Sequence, residues 1–269
     1  MRSDLPGRVL FLFAHPDDEF ACSMWMRRLV RDGEQLSCVY LTDGGFGGQA
    51  TERRERESLI ALGRLGIPAT DVRFLGRERG VGDGTLPDVL GPAWDALEEW
   101  ARAVGPVKRI VVPAWEGGHQ DHDAAHLLGL ELARRHACPV EQVPLYNGVG
   151  LPGPFFRVLH PLASNGLVTA YRADWRERIA AIALCLIYRS QWKTWVGLLP
   201  FFALKMVFSG RFPRQAAEPA RVAQPPHEGS LLYERRGAYT YGRFRTQAES
   251  FIGLNERHKT GATSIAKDA

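Results

Sequence analysis

Four short apolar runs recur along the first half of the chain, each followed by a segment with helical patterning, and this alternation narrows the fold more than any other feature. Arg8–Ala14 (RVLFLFA) is a continuous apolar run of the kind that is buried on both faces of a parallel sheet. A helical pattern follows over Ala21–Val30 and stops at Asp32-Gly33. Leu36–Thr42 reads as a second strand ending in a glycine-rich turn, Asp43–Gly48, and Thr51–Leu65 as a charged helix with Gly66 as its stop. Val72–Leu75 is a short third strand. Gly76–Pro87 is a loop, with Asp88 as N-cap of a helix reaching Val104. Arg109–Pro113 is a fourth strand, and a helix runs from Asp121 to His136. Strand–helix alternation at this spacing predicts an α/β fold with right-handed crossovers, a Rossmann-like, doubly wound, mostly parallel sheet.

After Tyr146 the pattern loosens, so residues 1–150 are expected to form the Rossmann-like catalytic layer. Residues 151–269 are a less regular C-terminal section completing the same domain and the substrate pocket. Asp174–Arg189 reads as a helix, Ser209–Ser230, with four prolines, as a long extended loop, and the last fifteen residues as a frayed tail. Apolar residues make up 45% of the 269, enough for a sizeable core, which excludes general disorder. Four widely spaced cysteines, with no C-x-x-C pair, argue for free thiols in a reducing compartment. The first apolar run is too short for a secretory h-region, so a cytoplasmic location is expected. The net charge of +4 comes from basic residues interleaved with acids, an ordinary solvated surface, and no nucleic-acid partner is expected.

Two polar constellations sit directly after strands one and four. The first is Ala14-His15-Pro16-Asp17-Asp18-Glu19, and the second is His119-Gln120-Asp121-His122-Asp123. In an open α/β sheet, ligands bind beyond the carboxyl ends of the strands, and strands one and four flank the switch point in the common order. Helix capping would account for one Asp; it does not account for His, two Asp and Glu within five residues. His15 and Asp18, three residues apart, can converge on one cation and leave Asp17 free for proton transfer. The two histidines and the aspartate of the second group can meet them across the crevice. His126 is better read as a packing histidine. Three His/Asp/His ligands with an open position are how catalytic zinc is held, lowering the pKa of bound water toward ~7. A spare carboxylate and a spare histidine beside such a site suit hydrolysis of an acyl bond.

AHPDDE after the first strand and HQDH after the fourth resemble the PIG-L/LmbE-like family of zinc-dependent N-acetylglucosaminyl deacetylases. The likeness extends to Leu41-Thr42-Asp43-Gly44, to Leu65-Gly66-Ile67 and to Tyr188-Arg189-Ser190-Gln191. The resemblance implies His15, Asp18 and His122 as Zn2+ ligands and Asp17 as the base. It implies His119 as the group that stabilises the oxyanion or protonates the leaving amine, and Asp121 as the residue orienting that histidine. Arg54 and Asp83 match substrate contacts, although Arg54 reads equally as an exposed helix arginine. The implied substrate is a small sugar or glycoconjugate, lipid-linked in some members, from which an N-acetyl group is removed.

Other readings are weaker. No G-x-S-x-G follows a strand, as a serine esterase requires, and the first turn is neither G-x-G-x-x-G nor a P-loop. A zinc amidase cleaving a larger acyl or thiol conjugate would use the same residues. A non-catalytic carbohydrate-binding module is disfavoured because Asp17 and His119 are both present. Trp195–Phe208 is strongly apolar yet too short for a membrane span, which needs ~20 residues. It is expected to cover the core or an oligomer contact, or to make peripheral membrane contact as a lid or interfacial segment. The oligomeric state is not legible.

Overall fold

A computed structural model describes residues 7–45 and 51–265, with side chains in the last helix as far as residue 253. The chain begins with β1 (Arg8–Phe13), a 3-10 turn at Asp18–Ala21, α1 (Ser23–Arg31) and β2 (Leu36–Tyr40). Then come α2 (Thr51–Leu65), β3 (Val72–Phe74), α3 (Leu75–Arg79), α4 (Leu90–Val104), β4 (Val107–Pro113), α5 (Gln120–His136) and β5 (Val140–Val143). A small ribbon, β6 (Tyr146–Asn147) with β7 (Arg157–Val158), precedes β8 (Val168–Arg172), α6 (Trp175–Cys185) and α7 (Trp192–Phe208). The remaining elements are β9 (Arg211–Ala216), α8 (Leu232–Arg235) and α9 (Tyr241–Ile265).

The main sheet has the order β3-β2-β1-β4-β5-β9-β8. Its first five strands are parallel, and β9 and β8 add on antiparallel. The chain winds outward from β1 to β3 and then resumes beside β1 with β4, so the switch point falls between β1 and β4. Successive side chains of β1 feed two separate cores, as its unbroken apolar run requires. Leu10 and Leu12 pack with α4, α5 and α9, while Val9, Phe11 and Phe13 pack with α1, α2, α6 and α7. The expected doubly wound, mostly parallel α/β fold is therefore observed.

Several local expectations are corrected. The 76–87 loop opens within α3, and Asp88 does not cap α4. It lies in a 3-10 turn at Leu86–Val89, where its carboxylate accepts from the Tyr239 hydroxyl at 2.5 Å and from Arg243 at 2.9 Å. Asp174 does cap α6, reciprocally with Glu177, but the helix ends at Cys185 rather than Arg189. The proline-rich stretch after Ser209 contains β9. Pro213 is tolerated there because β9 pairs with β5 only at Gln215 and Ala216, leaving no ladder bond on that side for its missing N–H. The C-terminal segment expected to fray is helical to Ile265, and residues 266–269 lie outside the described residues, as does the 46–48 part of the glycine-rich turn. Cys22, Cys38 and Cys185 are buried free thiols and Cys138 is half-buried.

Two contacts fix the loops that carry polar residues to the sheet edge. Thr42 donates through its hydroxyl to the Ala14 carbonyl at 2.7 Å, and a Cβ on Gly76 would fall 2.1 Å from the Thr42 carbonyl carbon. Glu116, after β4, is fully buried and accepts from the N–H groups of Leu145 (2.7 Å) and Tyr146 (2.9 Å) and from the Asn147 amide (3.1 Å).

Gly76→Ala is expected to cost about 1–3 kcal/mol by forcing backbone apart, read as a lowered denaturant midpoint. Burial raises the Glu116 carboxyl from 4.5 to about 7, despite the donors around it. The folded state thus keeps a proton that the unfolded chain releases above about pH 4.5. This stability contribution is full below 4.5 and is lost as pH rises through 7. Glu116→Gln should flatten the fall in melting temperature over that window. An unchanged pH profile would show that Glu116 titrates normally.

Candidate metal centre

The turn after β1 is folded back on itself by one carboxylate. Asp18 Oδ2 accepts from the N–H groups of Ala14 (3.0 Å) and His15 (2.9 Å), leaving Oδ1 to face the crevice. Between them, Asp17 takes φ = 134°, a conformation costly for a non-glycine residue. It is held there by its N–H donating to Glu19 Oε2 at 3.1 Å and by Arg54 Nη2 donating to its Oδ1 at 3.2 Å. Across the switch point, α5 starts at Gln120 with His119 as N-cap, its Nδ1 accepting from the Asp121 N–H at 3.2 Å.

His15 joins the two halves. Its Nδ1 lies 3.3 Å from His122 Nε2, and that nitrogen lies 3.1 Å from Asp18 Oδ1. On the opposite edge of the ring, Nε2 lies 3.0 Å from Asp121 Oδ2 and 3.2 Å from Asp83 Oδ1. Asp121 also accepts from the N–H groups of Gly84 (2.6 Å) and Leu86 (3.1 Å). Two carboxylates at Nε2 keep the proton on that side, so Nδ1 presents a lone pair toward His122 Nε2. Two ring nitrogens and a carboxylate oxygen converging in a buried space can hold a cation between them. The donor set of His15, Asp18 and His122 fits a divalent metal, with Asp121 as the carboxylate behind a ligating imidazole.

The structure brings the other expected site residues to the same place. His119 is the most open of the three rings and packs edge-on against His15 at 4.6 Å. Its Nδ1 is 3.9 Å from the Asp121 carboxylate, which engages His15 instead. Burial lowers its pKa to about 4, so the ring is neutral. Burial raises Asp17 to about 6, although Arg54 pulls it downward, whereas the charge and hydrogen bond of His122 hold Asp18 well below the usual range in spite of burial. His15, Asp83, His119 and Asp121 form a second convergent group that shares His15.

Arg54 is not an exposed helix arginine. It is buried and donates to the carbonyls of Pro16 (2.9 Å) and Gly44 and to Asp17, with Asp83 Oδ2 at 3.5 Å. His126 is the packing histidine expected, donating from Nδ1 to the Pro113 carbonyl at 2.9 Å. Sequence reading missed the support behind the turn. Glu19 is fully buried between the Asp17 N–H and the Tyr188 hydroxyl, and Glu57 accepts from the Ser190 N–H at 3.1 Å. The weak YRSQ likeness was the available signal for both. Tyr146, 5.4 Å from the His122 ring, had none.

Residues 10–133 match the profile of the PIG-L family, described as GlcNAc-PI de-N-acetylase. A 1D-myo-inositol 2-acetamido-2-deoxy-alpha-D-glucopyranoside deacetylase of Actinosynnema mirum is 32% identical over 155 residues, covering 45% of this chain and 53% of that protein. The enzyme of the same name from Thermomonospora curvata is 30% identical over 152 residues, covering 46% and 51%. The chain thus spans about half the length of the curated relatives it matches. Among solved structures, a deacetylase of the teicoplanin biosynthesis pathway aligns with a TM-score of 0.57 at 16% identity, over 79% of this chain and 99% of that one. The N,N'-diacetylchitobiose deacetylase of Pyrococcus horikoshii aligns with 0.58 at 15% identity, over 82% and 87%. These structures share the fold. The resemblance carried by AHPDDE and HQDH is borne out: residues 10–133 match the model of the PIG-L family.

Proposed function

We propose that the protein is a metal-dependent hydrolase removing an N-acetyl group from an N-acetylglucosamine-type conjugate, releasing acetate and a free amine. One observation carries this reading: three buried ligand atoms converge across the switch point while a strained, buried carboxylate stands beside them on the same turn. The PIG-L domain and the names of the relatives support it. His15, Asp18 and His122 hold the ion, Zn2+ in this proposal. When bound, such an ion supplies Lewis acidity toward the acetyl carbonyl and a water of lowered pKa.

The remaining roles belong to this chain's own groups. Asp17 takes the proton of the attacking water, and its raised pKa suits a base that must later give that proton up. His119, neutral and the most open ring, donates its N–H to the carbonyl oxygen, and the proton taken up by Asp17 passes to the leaving amine. Asp121 orients both histidines, His15 through its carboxylate and His119 through its own N–H. Arg54 holds Asp17 and Asp83 in place, and Asp83, partly buried beside His15 and His119, meets a sugar hydroxyl. The section after residue 150 completes the pocket, a cytoplasmic location suits the free thiols, and a lipid-linked sugar with peripheral membrane contact through 195–208 is the finer form of the proposal. No described helix is long and apolar enough to cross a membrane.

Purified protein should carry one zinc per chain and release acetate from a panel of N-acetylglucosaminyl conjugates. Asp17→Asn should keep the metal and lose about 100-fold or more in kcat, while His122→Ala should lose the metal itself. Near-normal turnover in the first variant removes Asp17 as base; metal without acetate from any conjugate removes the deacetylase reading.

A further inference from the structure

The interleaving of charges along the chain fails over one stretch. Residues 178–217 contain no Asp or Glu and six basic residues, Arg178, Arg189, Lys193, Lys205, Arg211 and Arg214. That excess is larger than the chain's formal net charge of +4, so the rest of the protein is slightly acidic. Among the described residues, Arg189, Lys193, Lys205 and Arg211 have no ion-pair partner, whereas Arg214 is paired with Glu141.

The same stretch folds as most of α6, all of α7 and the strand after them. One face of α7 turns Trp195, Leu198, Phe202 and Met206 into the core, which explains part of its apolar character. The opposite face is also apolar and faces solvent: Trp192 is 60% exposed, Val196 68%, Leu204 52% and Phe208 83%. Ile179 (65%) and Leu186 (60%) extend this patch onto α6. An apolar groove of about 430 Å³ opens alongside, between Leu186, Trp192, Val196 and Leu199. A 17-residue helix that is apolar all round but buried on one side only, rimmed by free cations and tryptophan, suits the headgroup–acyl boundary of a bilayer.

We propose that the outer face of α6 and α7 docks on an anionic phospholipid surface, with the apolar residues in the acyl boundary and the free cations at the headgroups. The charge pattern decides between occupants. In a two-fold contact with a second copy the acid-free basic face would meet itself and repel, whereas anionic lipid complements it. The proposal rests on and deepens the peripheral membrane contact proposed above for 195–208; it does not depend on the chemistry assigned to the metal centre, yet docking there bears on access to it. A series of aromatic contacts runs from His122 to Tyr146 (5.4 Å), to Phe156 (5.6 Å) and to half-exposed Phe201 on α7 (6.0 Å). A docked protein therefore presents its crevice a few rings from the membrane surface.

The full chain should float with phosphatidylcholine vesicles containing about one-third phosphatidylglycerol, and poorly with phosphatidylcholine alone. Binding should fall several-fold as salt is raised from about 0.05 to 0.5 M. Val196→Glu combined with Leu204→Glu should lower partitioning at least about tenfold, and Arg189→Glu with Lys193→Glu should abolish the preference for anionic lipid. Melting temperature and metal content serve as folding controls. Should the apolar variants misfold, a blue shift of emission on adding anionic vesicles, lost in Trp192→Phe, reads the same insertion. No flotation with anionic vesicles overturns the proposal, as does flotation indifferent to both variant pairs. A protein that dimerises in sedimentation through this face and ignores vesicles assigns it to a second copy and overturns the proposal equally.

Discussion

The site depends on how Asp18 divides its two oxygens. One accepts the N–H groups of Ala14 and His15 and so closes the turn at the end of β1; the other faces His122 on α5, the helix that follows β4. A glutamate there would need an extra methylene in a closed turn, and an asparagine would offer no charge to the cation. The same side chain thus shapes the backbone and offers an oxygen to the proposed metal site. The rest of the fold serves to bring β1 and β4 side by side so that His122 arrives opposite.

Crowding this many acids into one buried volume is unfavourable unless positive charge is distributed among them. Asp17, Asp18, Asp83 and Asp121 are all buried or nearly so, and the resident cations are few. Arg54 answers two of them and also donates to the Pro16 and Gly44 carbonyls, while its buried Nε has no acceptor. His15 lies between the others. A divalent ion at the proposed His15–Asp18–His122 site would complete the balance, which would make the metal part of the electrostatics of the fold as well as of the chemistry.

Much of this was legible in the sequence because it follows from local periodicity and from residues adjacent in the chain. The unbroken apolar run of β1 announced burial on both faces, and the polar boxes after strands one and four needed only the strand order to bring them together. Arg54 was legible as a residue but not as a buried one, since the helix around it is charged throughout and its partners lie 10 to 38 residues away. β9 was missed because four prolines outweigh a weak strand pattern, and only the short register with β5 makes Pro213 acceptable. Tyr188 supports Glu19 across 169 residues, a distance over which no pattern carries information.

That last contact bears on how the two halves of the chain relate. A polypeptide ended near residue 150 would keep every proposed metal ligand, the switch point and Arg54. It would lack the phenol that satisfies Glu19, and Glu19 is what grips the N–H of Asp17 in its unfavourable backbone conformation. The turn that carries His15 and Asp18 would keep the grip of Arg54 on the Asp17 carboxylate but lose the support of Tyr188 behind Glu19, the acceptor that fixes the Asp17 backbone. The irregular C-terminal half is in this sense a mould: it contributes no proposed ligand, and it keeps the first half in the shape that its own residues do not favour.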